Sequence, residues 1–341
     1  MNRLRCAVIG CGRIGCGFDD NSDGTVRTHA GSYYKNSKTY LVALCDIDLS
    51  KLEKYGNKYK ISGLYTKSFD MFKKESIDCV SICTLVETHL DLVKEAAKFG
   101  VKGIFLEKPI SSTLQDAKKI IEICKKHQIV LVIDHQRRFD PFYNKIKQLI
   151  QQKKLGKIQL INVYYGSGIA NTGSHLFDIL RLFFGEIVSI QGNLSKNNSN
   201  NLMDPNIDIV LEFWNKTICR IHALDYRNYG LLEMDILGSL GRMRIDLASN
   251  KIEYLKINDK NSLVYRTLVL SEITIKKPNY SAIELGVQNL LDSIKTNREP
   301  KCTGYDGYKS LELIIASTQS AKTGKKLRLP LSNKNYKITS K

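Results

Sequence analysis

The sequence lacks any apolar run long enough to cross a membrane. Its longest runs, such as IVLVI at residues 129–133, fall far short of the roughly 20 apolar residues that a transmembrane helix needs. The N-terminal segment MNRLRCAVIG enters a strand-like run almost at once, which leaves no room for a signal peptide and its cleavage site. We therefore expect neither a membrane span nor a secretory signal.

Cysteine and histidine spacings typical of metal or redox sites are also missing. The nine cysteines lie at positions 6, 11, 16, 45, 79, 83, 124, 219 and 302, and none forms C-x-x-C. Most of them fall in apolar strand-like runs, which predicts buried, reduced thiols in a cytoplasmic protein. The six histidines show no H-x-x-E or paired spacing. We therefore expect no metal site.

Acidic residues are scarce relative to basic ones. There are 34 Asp and Glu against 52 Lys and Arg, which gives a formal net charge of +18. Such an excess can indicate nucleic-acid binding, but the lysines are spread over the whole chain without an aromatic-interleaved basic stripe. We expect a solvated, lysine-rich surface that attracts anionic small molecules, and no nucleic-acid partner. At 341 residues and 43% hydrophobic content, the chain should fold into two domains.

The first part of the chain alternates strand-like and helix-like segments. Continuous apolar stretches of strand length are LRCAVIG, TYLVALCD, IDCVSICT, VKGIFLEK and IVLVIDH. Helix-period segments lie between them, such as LSKLEKYGNKY, HLDLVKEAAKFG and LQDAKKIIEICKKH. This alternation predicts an α/β domain with a doubly wound parallel sheet, which we place at residues 1–134.

After about residue 135, most apolar runs alternate with polar residues, as half-buried antiparallel strands do. The sequence predicts hairpin turns at residues 214–216 and 238–241. It also predicts a helix over SHLFDILRLFFG, between the first two strands, and two more helices near the end of the chain. We predict an α+β domain at 135–331 with one open-faced, mainly antiparallel sheet, then a flexible tail at 332–341. Too few helices are available to cover one face of the sheet, so we expect a homodimer or homotetramer through that face.

The segment CGRIGCGFDDNSDGT contains two motifs end to end. Asp19 begins a D-x-N-x-D-G pattern, as in a calcium loop, but the twelfth position, which needs a bidentate acid, is Ala30 and the ninth is Arg27. Calcium is therefore not expected. We interpret residues 18–28 as a polar insertion into the first helix, which resumes near HAGSYYKNS. Its acids would be solvated, or the loop would lie over the cofactor or the substrate mouth.

The other motif is G-x-G-x-x-G, formed by Gly10, Gly12 and Gly15 directly after the strand CAVIG. Gly10 would allow a tight turn, and Gly12 would let the backbone approach a pyrophosphate at a helix N-terminus. Asp46 ends the second strand, where such folds place the acid that binds the ribose hydroxyls. A 2′-phosphate would meet its charge and Ile47 offers no cation, so we expect NAD and regard NADP as the weaker ligand.

Several short motifs resemble, in their order and spacing, the glucose-fructose oxidoreductase, inositol dehydrogenase and MocA (Gfo/Idh/MocA) family. They are the glycine turn with Asp46, THL at 88–90, GIFLEKP at 103–109, HQRRFDP at 135–141 and NTGSHLFD at 171–178. The resemblance runs along nearly all of the chain, to LRLPL. It implies a Rossmann domain that binds NAD or NADP, an open-faced α+β domain, and a substrate in the cleft between them. Sugars, sugar nucleotides and cyclic polyols are the family's commonest substrates.

The resemblance also implies roles for individual residues. Lys108 of E-K-P would be the active-site lysine and His175 the general acid/base, while Glu107 would lie near the nicotinamide ribose. It further implies a cis peptide bond between Lys108 and Pro109. The predicted cofactor-binding residues are Gly10, Gly12, Arg13, Ile14, Gly15, Asp46, Thr84, His89, Glu107, Lys108 and Arg138.

Three residues are predicted to bind substrate, namely Asn171, Asp178 and Tyr164. Asn171 stands where the family commonly has Asp in D-x-x-x-H; it can bond a hydroxyl but supplies no negative charge. Asp178 follows His175 by three residues on a helix, where it could orient the ring. Of Tyr164 and Tyr165, the alternation along a strand sends only one to the pocket.

These residue types suit the oxidation of an alcohol, in which a hydride leaves carbon and a proton leaves oxygen. Nicotinamide takes the hydride, a histidine can take the proton, and a lysine can stabilise the growing alkoxide. We predict an NAD-dependent dehydrogenase or reductase acting on a secondary alcohol or ketone of a sugar, sugar nucleotide or cyclic polyol. Two alternatives stay open: a bound NAD that serves an internal redox cycle, as in elimination or epimerisation, and a non-catalytic dinucleotide-binding regulator.

Overall fold

A computed structural model describes residues 3–21, 24–197, 199, 201, 203–227, 229–258, 266–275 and 278–338. Parts of three predictions lie outside the described residues: 22–23 of the insertion, 264–265 of the last predicted strand and 339–341 of the tail. The chain forms two compact units, Met1–Asp140 with Pro278–Leu311, and Pro141–Lys277 with Glu312–Lys341. In the described part of the chain, no helix combines the length and apolarity that a membrane crossing requires.

The first unit is built on a parallel sheet. Its strands are β1 (Leu4–Ile9), β2 (Thr39–Cys45), β3 (Gly63–Tyr65), β4 (Cys79–Ile82), β5 (Gly103–Leu106) and β6 (Val130–Ile133). Among the described residues they lie in the order β3-β2-β1-β4-β5-β6, and all neighbours are parallel. This order confirms the predicted doubly wound sheet: β2 and β3 are added on one side of β1, and β4 to β6 on the other, so the strand order reverses beside β1.

Several helices follow a polar residue that caps the first turn, and one begins with proline. They are α1 (His29–Lys35), α2 (Leu49–Tyr59), α3 (Ser68–Lys74), α4 (His89–Lys98), α5 (Leu114–Lys126), α6 (Pro141–Gln151), α7 (Ser174–Phe184), α8 (Ala282–Thr296) and α9 (Gly304–Thr323). The Asp48 side chain accepts the first amides of α2, and Ser281 with Glu284 forms a capping box on α8. Pro141 lacks the amide hydrogen that the first turn of α6 would leave unpaired.

The structural division differs from the predicted domains. The first unit ends at Asp140, a few residues beyond the predicted boundary at 134, and it also contains α8, which we predicted in the second domain. Helix α8 packs tightly against β5, because a Cβ added at Gly103 would lie 2.7 Å from Ile294 and 2.9 Å from Leu290. The periodicity of a helix reveals its apolar face but not the sheet that this face covers.

The second unit contains a broad mixed sheet. Its strands are β7 (Ile158–Tyr165), β8 (Ile187–Leu194), β9 (Ile207–Phe213), β10 (Ile218–Ala223), β11 (Glu233–Gly238), β12 (Gly241–Asp246), β13 (Lys251–Ile257), β14 (Leu268–Ser271) and β15 (Leu327–Arg328). Within the described ranges their order is β14-β13-β12-β11-β7-β10-β9-β8-β15, antiparallel except for the pair β7–β10. The predicted mainly antiparallel sheet is confirmed, and so are the hairpin turns that join β9 to β10 and β11 to β12.

Part of the predicted tail packs against the second unit. The ring of Tyr336 lies under the Lys322 ammonium, 5.5 Å from ring centroid to nitrogen, and Ile338 is buried. The described cysteines are all free, and only Cys83 is half-exposed while the others are buried. The prediction that most of the cysteines are buried is therefore confirmed.

The polar insertion interrupts the first helix without ending it. The amides of His29 and Ala30, which start α1, donate to the carbonyl groups of Ile14 and Gly15 at 3.2 and 2.9 Å. The helical hydrogen bonds thus continue across the insertion as though the intervening residues were looped out. This confirms the predicted insertion.

Two acids of the insertion form specific bonds rather than being merely solvated. The Asp19 carboxylate closes the base of the loop, where it accepts from the Arg27 amide at 2.6 Å and from the Thr28 hydroxyl at 2.5 Å. The next acid, Asp20, fastens the loop to α2 by accepting from Lys54 Nζ at 2.7 Å, Lys58 Nζ at 3.0 Å and the Tyr55 hydroxyl at 3.0 Å.

The charge of Asp20 should therefore stabilise the fold. Burial alone would raise the pKa of Asp20, but the hydrogen bonds from Lys54, Lys58 and Tyr55 outweigh it and lower this pKa to about 2. Because the folded-state pKa is depressed, the stabilisation is present above the pKa of the unfolded chain and is lost as the pH falls through the folded value.

We expect Asp20→Asn to lower the free energy of unfolding by about 1 kcal/mol near pH 7, a figure discounted for solvent screening because 27% of the side chain is exposed. The loss should be smaller near pH 3. Chemical denaturation at both pH values measures it. The control is Asp91→Asn. The Asp91 side chain is 79% exposed beside Lys94, so this change should lower the free energy of unfolding by less than about 0.5 kcal/mol. Equal losses in the two variants would contradict the assignment.

Candidate functional site

The glycine turn after β1 has the geometry that a dinucleotide requires. Gly10 has a φ of +95°, and a Cβ there would lie 2.7 Å from the carbonyl group of Cys83. A Cβ at Gly15 would lie 1.9 Å from the Gly10 carbonyl oxygen, so only glycine fits both positions. At Gly12, by contrast, a Cβ would meet nothing within 4 Å, so the backbone of the turn faces open space.

The same turn presents hydrogen-bond donors to that space. Within the described residues, the amides of Gly12, Arg13 and Ile14 donate to no protein acceptor. Successive amides of this kind bind phosphate groups, because they offer partial positive charge without a side chain in the way. The turn therefore fits the pyrophosphate of NAD, which these amides would bind.

Asp46 lies directly after β2, as the sequence predicted, and its carboxylate is bonded to the turn. Oδ2 accepts from the Cys11 amide at 2.6 Å, and Oδ1 accepts from the Asp48 amide at 3.0 Å. Each carboxylate oxygen can accept a further bond. The neighbouring Ile47 is 92% exposed and contributes no charge. Asp46 is thus held beside the glycine turn, and its contact with the ribose stays a prediction.

Thr84 and His89 lie in the segments that follow β4. The Thr84 hydroxyl bonds to that of Thr88 at 2.7 Å. The buried His89 ring lies between two carbonyl groups, with Nδ1 3.2 Å from that of Ile110 and Nε2 3.3 Å from that of Thr84. Burial lowers the pKa of His89, and a neutral ring can donate to only one of these groups at a time. His89 therefore links two loops, and its predicted contact with the cofactor is untested.

Arg138 has partners of its own within the first unit. Its guanidinium is buried, lies 3.0 Å from the Asp306 carboxylate, and donates to the Lys301 carbonyl at 3.4 Å. These bonds hold the start of α9, so a structural role is evident and the predicted cofactor contact stays a prediction. Arg13 is exposed, with its guanidinium 4.8 Å from the centroid of the Phe18 ring.

Lys108 lies just beyond the carboxyl end of β5, the edge at which open parallel sheets bind their ligands. The expected cis peptide between Lys108 and Pro109 is present. The side chain of Lys108 is half-buried, and its amide donates to Glu107 Oε2 at 3.2 Å. The predicted catalytic lysine is thus held in a turn whose backbone is bonded to the preceding acid.

A buried cluster beside Lys108 was missed by the sequence reasoning. His29, the first residue of α1, lies between two carboxylates, with Nε2 3.2 Å from Glu107 Oε1 and 3.4 Å from Asp134 Oδ2. The ring is 0% exposed and packs edge-on against Phe105. A signal was available, because parallel neighbours β5 and β6 must bring the residues that follow them together. The insertion obscured the position of His29 in the first helix.

The three groups shift one another's pKa. Burial alone would lower the pKa of His29, but Cys83 and the two carboxylates raise it well above its usual range. Burial would raise the pKa of Glu107, yet the bond from His29 and its charge lower it. Burial, followed by the charge of Glu107, raises the pKa of Asp134 to about 7. The cluster thus holds an imidazolium, a carboxylate and an acid that titrates near neutrality.

In the second unit, the predicted substrate segment is a π-helical turn, Gly168–Gly173, that runs directly into α7. Asp204 holds this turn by accepting from the amides of Ala170 at 2.7 Å and Asn171 at 2.9 Å. Asn206 accepts from the Gly168 amide at 3.0 Å. Asp204 and Asn206 were not predicted, because no local pattern links residues so distant in sequence.

The predicted residues on this segment differ in exposure. Asn171 is exposed, and its side-chain amide donates to the carbonyl and hydroxyl oxygens of Ser167, both at 3.3 Å. His175 is half-buried in the first turn of α7, and Asp178 is buried one turn further on. The proposed orientation of the His175 ring by Asp178 stays a prediction.

Tyr164 and His175 belong to opposite sides of the second sheet. Tyr165 points into the core and its hydroxyl donates to the Ile207 carbonyl at 2.9 Å, whereas half-exposed Tyr164 stacks on His222. Helix α7 packs on the core side, through the contact of Phe184 with Phe213 at 5.6 Å between ring centroids. The two tyrosines therefore face opposite sides of the sheet, as the strand alternation predicted. A substrate contact of Tyr164 stays a prediction.

Two family models match the chain. One describes an oxidoreductase family with an NAD-binding Rossmann fold and matches residues 4–135. The other describes the C-terminal alpha/beta domain of that oxidoreductase family and matches residues 147–329. Together the two models span both units of the structure.

Individual relatives match along nearly the whole chain. D-apiose dehydrogenase of Paraburkholderia graminis is 24% identical, over 96% of this chain and 90% of the relative. Myo-inositol 2-dehydrogenase of Thermotoga maritima is also 24% identical, over 96% and 98%. Among solved structures, the WlbA dehydrogenase of Bordetella pertussis in complex with NADH and UDP-GlcNAcA has a TM-score of 0.78 at 21% identity, over 97% and 100%. This structural likeness concerns the fold.

Proposed function

Because the chain belongs to the Gfo/Idh/MocA oxidoreductase family, we propose that it transfers a hydride between NAD and a secondary alcohol or ketone of a sugar, sugar nucleotide or cyclic polyol. The observation that carries the proposal is the glycine turn, whose amides face open space beside Asp46. Relatives named for apiose and inositol, and a structural neighbour bound to NADH and UDP-GlcNAcA, support the substrate class.

We propose separate roles for the residues that bind the cofactor and those that act on the substrate. NAD, when bound, supplies the carbon that accepts or returns the hydride. His175 would accept the hydroxyl proton in oxidation and return it in reduction, and Lys108 would hold the substrate oxygen as its negative charge grows. Asn171 would donate or accept a hydrogen bond with a neighbouring substrate hydroxyl. The amides of the glycine turn would bind the pyrophosphate, and Asp46 would bind the ribose of the adenosine half.

A substrate panel tests this proposal. The purified chain is incubated with NAD and with sugars, polyols and sugar nucleotides in turn, and the absorbance of reduced nicotinamide is followed. Turnover of at least one such alcohol is expected. Tightly bound NADH that persists without net turnover would favour an internal redox cycle instead, and NAD binding with no chemistry on any substrate would favour a regulator.

We expect NADH to bind more tightly than NADPH, by about 2 kcal/mol or roughly 30-fold in Kd, because a 2′-phosphate would meet the Asp46 carboxylate. Asp46→Asn keeps an oxygen for the Cys11 amide and removes the charge, so it should reduce the preference to a few-fold. Fluorescence titration with both reduced cofactors measures this. The control is Asp48→Asn, next to the same strand end. Tighter binding of NADPH by the wild-type chain would overturn the assignment.

We also propose a cytoplasmic location, in keeping with the free thiols.

We further propose a homodimer or homotetramer that forms through the half-exposed face of the second sheet. That face carries Tyr164 stacked on His222, with Val210 exposed on a neighbouring strand. Sedimentation velocity tests the assembly. Val210→Glu should shift it toward the monomer, and a monomeric wild-type chain would contradict it.

A further inference from the structure

The hydrogen-bond partners of His29 favour one charge state of its ring. Nδ1 lies 2.9 Å from the Ser81 hydroxyl oxygen, and Ser81 donates its only proton to the Tyr33 hydroxyl at 3.0 Å. Ser81 is therefore the acceptor for a proton on Nδ1. On the opposite side, Nε2 faces the carboxylates of Glu107 and Asp134. Oxygen atoms thus face both ring nitrogens, and this arrangement, like the raised pKa of His29, favours an imidazolium.

Glu107 is held between this ring and the backbone of the E-K-P turn. Its Oε1 lies 3.2 Å from His29 Nε2, and its Oε2 accepts from the Lys108 amide at 3.2 Å. Only 12% of the side chain is exposed, so the carboxylate has little freedom to find other partners. A change at the ring should therefore move the carboxylate that is bonded to Lys108.

We propose that His29 is a positioning residue, which holds the Glu107 carboxylate in one orientation and so sets the Lys108 turn for NAD, while Asp134 competes for the same ring nitrogen. The inference rests on the proposed function, in which Lys108 holds the substrate oxygen, and on the predicted place of Glu107 near the nicotinamide ribose. When Asp134 is protonated, the charges of His29 and Glu107 cancel. When Asp134 is ionised, its carboxylate attracts the positively charged His29 ring and repels the Glu107 carboxylate.

The cluster should therefore respond to pH near neutrality, where Asp134 titrates with a pKa of about 7. Burial raises the pKa of Cys83 and of Tyr33, and burial lowers that of His89. The pKa of His29 is raised and that of Glu107 lowered, so both stay charged. Among the described residues, the titratable groups that act on Asp134 are His29 from α1, Cys83 after β4 and Glu107 after β5. Lys108 acts on Glu107, and His135 follows Asp134 in the chain.

The test measures the Kd of NADH for the full chain by fluorescence titration between about pH 6 and pH 8.5. In the wild-type chain, Kd should rise about tenfold over this range, because binding favours the state with Asp134 protonated. In Asp134→Asn, which keeps the shape without the charge, Kd should change by less than about twofold across the same range. His29→Gln should bind NADH at least about tenfold more weakly near pH 6. His127→Gln, the same change at an exposed histidine of the first unit, should match the wild-type chain.

Two measurements without cofactor separate this inference from the proposed function. Imidazole NMR should show His29 as an imidazolium near pH 8, with exposed His127 as the reference resonance. Hydrogen exchange at the Lys108 amide should accelerate by about tenfold or more in His29→Gln, because Glu107 no longer holds that amide. If both results hold and the wild-type chain binds no NADH, the proposed function fails while the positioning of Glu107 stands.

Several outcomes would overturn the inference. They are a neutral His29 ring near pH 8, a wild-type Kd that does not vary with pH, and an NADH affinity in His29→Gln equal to that of the wild-type chain. A further one concerns metal, because the three side chains offer ligand atoms within 4.8 Å of one another. A stoichiometric metal ion in the purified protein that is lost in Asp134→Asn would make the cluster a metal centre instead.

Discussion

His175→Asn should lower kcat by about 100- to 10,000-fold, the range typical for removal of a general acid/base. The expectation follows from its proposed place at the substrate oxygen, in the first turn of α7 after the π-helical turn that Asp204 holds. Asparagine keeps a polar group of similar reach but cannot shuttle a proton at neutral pH. NADH binding should be unchanged, because the glycine turn and Asp46 belong to the first unit.

The matched control is His127→Asn. His127 is exposed directly after α5, in the first unit, and has no proposed role in binding, catalysis or assembly. The same substitution there should change kcat by less than about threefold, since surface changes away from a site are usually small. Steady-state kinetics on a substrate found in the panel, with fluorescence titration of NADH, gives both numbers. If His175→Asn keeps near wild-type turnover, another group transfers the proton. That result would support the hypotheses of an internal redox cycle or of a non-catalytic regulator.

The first sheet could be predicted from sequence because its information is local. The parallel strands other than β3 are continuous apolar runs that alternate along the chain with helix-period segments, so their order and type follow from the pattern alone. The glycine turn, Asp46 and Lys108 could be placed for the same reason, since each directly follows a strand. The short elements β3 and α3 gave too little periodicity to be recognised.

What could not be predicted depends on contacts between distant residues. Helix α8 has a clear apolar face, yet only the close approach of Leu290 and Ile294 to Gly103 assigns it to the first sheet. Asp204 binds a turn more than thirty positions earlier in the chain. The sequence predicts a helix that resumes at His29, but nothing near this residue in sequence indicates the two carboxylates that its ring contacts. The bonds of Asp19 and Asp20 likewise join residues that no motif connects.

Lys108→Ala should lower kcat by about 100- to 1,000-fold, the loss typical when one group that stabilises a developing oxyanion is removed. It should also raise KM, because the ammonium is present before the reaction as well as at the transition state and so contributes to substrate binding. His175→Asn should act mainly on kcat. The division between kcat and KM therefore distinguishes the two proposed roles.

The control for the lysine is Lys102→Ala. Lys102 directly precedes β5, at the end opposite to Lys108, and its ammonium pairs with Asp78 at 2.7 Å on the surface. Its removal should leave both kinetic constants within about threefold of the wild-type values, since an exposed ion pair contributes little. A Lys108→Ala variant with a raised KM and an unchanged kcat would reduce the lysine to a binding residue. Unchanged values of both would remove it from the site, and the chemistry would then need another cation at the substrate oxygen.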